Sequence, residues 1–336
     1  MTAPDTGSGS GSACTVYPSH QKLLERPGHL AGTSWGLFPD AERGTPSFIR
    51  PRTVKEAAGC VRTGTVFGLD YPADAFDPGM SLKRRAPRHT IYSAHPAHRD
   101  DYLDGYYLQG STQIDGLRHR RADDIGFYNG TPDEEIREGT AALGIQAWAE
   151  QPIVGRGVLV DVDGYCKDQG TPIDHAAGQP LSLGLIRAAA HAQSLTVQPG
   201  DILMLHTGWC EWFLALPPED KNILRDSRRA TGIEQSAEFV AWAWDNQLAV
   251  LAADNFALEC LPPVPASPYR DTAPHDHGMM HQQFLAKLGL PLGELWNLGP
   301  LSRHMKATGS WDALVTVKPL NITGATGSPA NATAIT

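Results

Sequence analysis

The chain has 336 residues, 41% hydrophobic and 19% charged, with a net charge of -9. That is enough apolar material for a substantial core in one or two domains. The acidic balance, without any Lys/Arg run, excludes nucleic acid as the main partner, because phosphate binding needs clustered cations. No apolar run has the length to span a bilayer, so no membrane contact is expected.

The first residues, "MTAPDTGSGSGSACTVYPS", lack a basic start and an apolar segment, so they do not read as a signal peptide. A disordered or extended lead is expected over residues 1–30, followed by one domain over 31–336. Cys14, Cys60, Cys166, Cys210 and Cys260 are scattered and form no CxxC pair. They read as reduced thiols of a cytoplasmic protein.

"PRTVKEAAGCVRTG" predicts a helix and "GTVFGLDYP" a strand. Residues 73–101, rich in Pro, Arg and His without periodicity, predict a long loop of the kind that covers sites. Thr131-Pro132-Asp133-Glu134 is a helix start, with a hydroxyl cap, a first-turn proline and an acid, and the helix is expected to carry Ile136, Leu143 and Trp148 inward. "GRGVLVDV" and "ILMLHTGW" are apolar runs suited to buried strands. Helices are expected over 183–193, from Ser236 through Trp244, and over 279–288. "LAVLAAD" and "ALVTVKPL" predict further strands. Strands alternating with helices indicate an α/β domain.

The stretch "LQGSTQIDGLRH" carries polar residues at alternate positions, Gln109, Ser111, Gln113 and Asp115, and then His119. On an extended strand the four share one face. The plain alternative is a surface loop with a turn-forming Asp-Gly. In "HDHGMMHQQFLAKLGLPLGELW", His277 and His281 are four apart on a predicted helix, a spacing that suits two metal ligands. Glu294 lies in an apolar stretch, where a carboxylate is paired, metal-bound or exposed. His206 and Asp254 end predicted strands, where α/β enzymes collect functional groups. There is no GxGxxG, GxSxG or P-loop context.

Together these blocks resemble the cyclase or kynurenine-formamidase-like superfamily of metal-dependent hydrolases, whose signature is HxGTHxDxPxH. "QGSTQIDGLRH" lies over it: Thr112, Asp115 and His119 match, while Gln109 and Gln113 stand where the family has metal-binding histidines. "VQPGDILMLHTGW", "ADNFALECLP" and "GSPANATAI" look like blocks of the longer members, and the resemblance runs from about Trp35 onward. It implies a single α/β domain with a mixed, barrel-like central β-sheet of swivelling type, surrounding helices, and a homodimer or higher homo-oligomer.

The resemblance also assigns a site. Asp115, His281 and Glu294 correspond to the family's second metal position and imply one divalent ion, Mn or Zn. Asp115, His119 and Glu294 are the expected catalytic residues, with Gln109, Ser111 and Gln113 on the substrate. The implied function is hydrolysis of a small amide, lactone or polyketide-like molecule, or the related cyclisation and water elimination. Two alternatives stay open: a metal-free cyclase, dehydratase or lyase using acid/base catalysis, and a catalytically inactive homologue that binds a ligand or serves as a subunit.

Overall fold

A computed structural model describes residues 16–123 and 125–336. Its strands are β1 (Val66–Gly68), β2 (Arg88–Tyr92), β3 (Asp100–Asp104), β4 (Gln113–Asp115), β5 (Ile153–Asp161), β6 (Pro180–Leu181), β7 (Ile202–His206), β8 (Gly232–Ile233), β9 (Val250–Ala253), β10 (Leu292–Glu294), β11 (Asp312–Val317), β12 (Gly327–Ser328) and β13 (Ala332–Ile335). Among the described residues nine of them form one sheet in the order β1-β13-β11-β5-β7-β9-β10-β4-β12. β5, β7, β9 and β10 run parallel, and the flanking pairs are antiparallel. The sheet curls into a half-barrel within a single mixed α/β domain, as the resemblance implied.

The parallel centre explains the apolar runs. Val158, Leu159, Leu203, Met204 and Leu251 are buried regardless of which face they point to, because helices and loops cover both faces of a parallel sheet. The helices are α1 (His20–Leu24), α2 (Pro51–Ala57), α3 (Gln146–Glu150), α4 (Val162–Asp168), α5 (Leu183–Ala192), α6 (Trp209–Ala215), α7 (Pro218–Ser227), α8 (Ala237–Asp245) and α9 (Gly299–Thr308). α5 and α8 begin where expected, with the Ser182 and Ser236 hydroxyls accepting from Leu185 N and Phe239 N. Among the described residues no helix is long and apolar enough to cross a membrane. Cys60, Cys166, Cys210 and Cys260 are free and buried; Cys14 lies outside the described residues.

Several expectations are corrected. Of the expected lead, residues 1–15 lie outside the described residues, but 20–24 form α1, packed through the fully buried Leu23. The helix expected from Thr131 is only a 3-10 turn at Asp133–Glu135; α3 starts at Gln146, after Leu143 turns through a φ of 54°. Leu143 and Trp148 are buried all the same. Residues 73–101 are not all loop, since β2 and β3 pair there as a hairpin.

Candidate metal centre

The C-terminal ends of the parallel strands collect the ionisable groups: Asp161 ends β5, His206 ends β7, Asp254 follows β9 and Glu294 ends β10. β4 lies antiparallel to β10 with Gln113 directly opposite Glu294 and Asp115 opposite Leu292. Neighbouring side chains across such a pair are within reach of each other, and Gln113 Nε2 donates to Glu294 Oε2 at 2.8 Å.

Only 113–115 of the polar row is strand. Gln109 lies in the turn before it, and reaches back so that its Nε2 donates to Asp115 Oδ1 and, at 3.1 Å, to His119 Nδ1. After Asp115 the chain turns at Gly116, where a Cβ atom would stand 2.8 Å from the Thr326 carbonyl oxygen. His119 N then donates to Gly116 O, and the imidazole returns to put Nε2 3.5 Å from Asp115 Oδ2. Ser111 does not join the row: its hydroxyl donates to Pro72 O. Thr112 Oγ1 donates to Leu295 O and accepts from Tyr71 N, tying the strand in place.

His281 precedes a π-helix, Gln282–Leu288, a form often found at functional sites. His277 is not on that helix. It sits before it with a φ of 56°, so the two histidines do not share a helix face. His281 is instead clamped between carboxylates, Nδ1 to Glu259 Oε1 at 2.6 Å and Nε2 to Glu294 Oε1 at 3.1 Å. The other Glu259 oxygen accepts from Met280 N at 2.7 Å.

Glu259 is the residue that sequence reasoning missed. It is fully buried, in a loop where Ala257 and Leu258 hold left-handed backbone and Cys260 N bonds back to β8. Such strain at non-glycine residues gathers at functional sites. The available signal was a carboxylate between apolar neighbours in "FALECLP", the same signal that singled out Glu294.

The electrostatics follow from this packing. Burial opposes charge on His281, but the hydrogen bonds to Glu259 and Glu294 outweigh it and push the imidazole up to about 10. Burial likewise opposes charge on Glu294, yet the His281 bond and charge hold it below the usual carboxylate range, with Arg84 adding to the pull. For His119 burial wins over the attraction of Asp115, so it is lowered and stays neutral.

Asp115, His281 and Glu294 place one donor atom each within 4.8 Å of one another, all buried. Asp115 Oδ2 is buried and accepts no hydrogen bond. Glu259 on Nδ1 orients His281 with Nε2 toward the cluster, the carboxylate–histidine arrangement that supports metal ligands. With Glu259, three buried carboxyl groups surround the His281 imidazole, with Arg84 acting on Glu294 from further off, so the donor atoms are predominantly acidic. This donor set fits a single divalent ion. The two glutamines engage Asp115 Oδ1 and Glu294 Oε2 as hydrogen-bond donors rather than as ligands.

His206 and Asp254 form a separate buried cluster. His206 Nδ1 is 2.8 Å from Asp161 Oδ1, and its Nε2 is 3.6 Å from Asp254 Oδ2. Asp254 also accepts from Thr207 N, Thr207 Oγ1 and Gly208 N. This cluster ties three strand ends together.

The family model described as "Putative cyclase" matches residues 76–260. A crystal structure of a novel cyclase is 31% identical with a TM-score of 0.76, covering 90% of this chain and 99% of that one. Isatin hydrolase A from Labrenzia aggregata, bound to benzyl benzoate, is 16% identical with a TM-score of 0.53, covering 83% and 94%. An isatin hydrolase bound to the product analogue thioisatinate is 12% identical with a TM-score of 0.52, covering 86% and 99%. Both isatin hydrolases are similar in fold. No curated protein matches the sequence.

Proposed function

This chain belongs to the cyclase family, and from that premise we propose that it is a hydrolase of small carbonyl compounds, amides or lactones, with one divalent metal in its site. The observation that carries the reading is the buried Asp115–His281–Glu294 set, with an Asp115 oxygen that accepts no hydrogen bond and a histidine oriented by Glu259.

Mn or Zn suits two carboxylates and one imidazole, and such an ion, when bound, supplies a Lewis acid for a carbonyl and a water of lowered pKa. The chain's own residues do the rest. Asp115 and Glu294 are held at fixed points, because Gln109 and Gln113 donate to their outer oxygens. His119, neutral and partly open, presents Nε2 toward Asp115 Oδ2 and moves the proton between water and leaving group.

Elemental analysis of purified, unsupplemented protein is expected to give one ion per chain. Glu294→Gln should remove metal and turnover together. A first panel includes isatin, the compound for which the two hydrolases of similar fold are named, with aryl amides and lactones beside it. Turnover that survives His119→Ala would sink the role given to His119.

One observation favours a second reading, metal-free acid/base cyclisation or elimination. His281 already bridges Glu259 and Glu294 in a closed hydrogen-bonded set. Metal content of zero in fully active protein would select it.

A further inference from the structure

Arg84 emerges from the Pro/Arg/His-rich segment and meets the two glutamines. Its Nη1 donates to Gln109 O at 2.8 Å and to Gln113 Oε1 at 3.4 Å. A guanidinium has five N–H donors in a fixed fork. Among the described residues Nε and Nη2 make no hydrogen bond and no carboxylate lies at ion-pair distance, the charge acting on Glu294 only from further off. Gln113 is well suited to this contact. Its amide donates to Glu294 while its oxygen accepts from Arg84, a double role that a metal-ligating imidazole does not fill.

Arg84 and Gln109 line a narrow recess of about 10 Å³ whose walls include Phe76, Trp209, Phe256 and Leu295. An anionic group reaches Arg84 only as the Met80–Ser81 wall gives way toward the neighbouring cavity. Met80, Ser81 and Phe256 form a common wall with a wider cavity of about 270 Å³. That cavity is apolar along Leu82, Phe256 and Leu261, and carries Lys83, Arg225 and Arg228. Arg225 is paired with Asp226, while Lys83 and Arg228 have no ion pair among the described residues. This gathering of cations stands out on a chain of net charge -9, beside a buried cluster rich in carboxylates that repels anions unless a cation stands between.

We infer that Arg84 is the anion-recognition residue of the site, and that the substrate class is an aromatic or otherwise apolar small molecule bearing a carboxylate. This rests on the hydrolase reading above only for the word substrate. The anionic group meets the free Nε and Nη2 donors, which match a carboxylate in bidentate fashion. The apolar body lies along Phe256 and Leu261, and Lys83 and Arg228 draw the anion to the mouth.

The test is calorimetric titration of the full chain with 2-naphthoate and its neutral isostere 2-naphthamide, as purified and after chelation. Wild type is expected to bind the acid about ten times more tightly than the amide, with or without chelator, as a charge-assisted pair would give. Arg84→Gln should bring the ratio near one with amide binding unchanged, and Arg84→Lys should keep part of it. Arg228→Gln, at an exposed position, should lower acid binding a few-fold with little effect on the amide. If Arg84→Gln does not fold, Arg84→Lys decides: loss of the bidentate fork should lower the ratio, and an unchanged ratio overturns the inference. Equal binding of acid and amide by wild type overturns the inference. So does a preference that survives Arg84→Gln or vanishes on chelation, since the acid would then be sitting on a metal. Binding needs no turnover: acid preference lost with Arg84, in a protein inert toward every amide and lactone, sinks the hydrolase reading and keeps this one.

Discussion

Glu259 does three things with two oxygens: it fixes the imidazole of His281, selects which nitrogen faces the cluster, and holds the Met280 backbone. Glu259→Gln keeps the shape and removes the charge. Orienting partners of metal ligands typically contribute 10–100-fold in affinity, so metal binding measured by chelator competition is expected to weaken by about that much. Unchanged affinity would show that His281 is positioned by packing alone. The glutamines make the complementary prediction. Gln109 and Gln113 are donors to carboxylates, so the Gln109→His/Gln113→His double variant restores two imidazoles beside a shared Asp115. Elemental analysis should then rise from one ion toward two per chain; a value that stays at one means that Arg84, left on the Gln109 carbonyl, blocks the second position.

At the scale of elements, β5, β7 and β9 were legible because their buried runs, Val158–Val160, Ile202–Leu205 and Val250–Ala253, are apolar at every position; Arg156 and the terminal Asp161 and His206 lie outside those runs. The site was half legible. Gln113 and Asp115 share a strand as alternation required, but Gln109 reaches the same cluster from a turn, which period-2 reasoning does not encode. α7 and α9 escaped because both are mostly polar, so that little apolar surface marks them despite a proline in the first turn of each, and the β2–β3 hairpin because its strands alternate no buried face. His206 shows what three strand ends gain by converging. Burial disfavours its charge, yet Asp254 and Asp161 push it up to about 9 from the ordinary 6.5. A raised imidazole stabilises the fold below pH 6.5, and that contribution is lost as pH rises through about 9. It amounts to roughly 3 kcal/mol on the usual conversion. Urea unfolding from pH 6 to 9.5 should therefore show stability falling more steeply in wild type than in His206→Gln, which lacks the titrating group. His281 contributes the same sign to both proteins, so the difference between the curves reports His206 together with Asp161 and Asp254, the carboxyl groups coupled to it. Parallel curves would refute it.

Among the described residues the β2–β3 hairpin buries little of its own surface. β2 and β3 pair over Arg88–Tyr92 and Asp100–Asp104, with Ile91, Tyr92, Tyr102 and Leu103 all exposed. Tyr92 and Tyr102 meet with ring centroids 6.1 Å apart, and His89 bonds Asp101 at 2.8 Å. Those contacts lie within the hairpin, and an isolated two-stranded hairpin is at best marginally stable in water. Its exposed apolar side chains suit burial against another surface. A homo-oligomer, which the family resemblance implies, would supply one in a second copy of this chain, and the hairpin leads directly into the turn that carries Gln109. Light scattering of the full chain should give the mass of a dimer or higher oligomer. The Ile91→Glu/Leu103→Glu double variant should shift it toward the monomer without lowering the metal content, because neither residue touches the cluster. A monomeric wild type would leave the hairpin as a free arm and remove the dimer from the account. A variant that stays oligomeric would place the interface on another face of the domain.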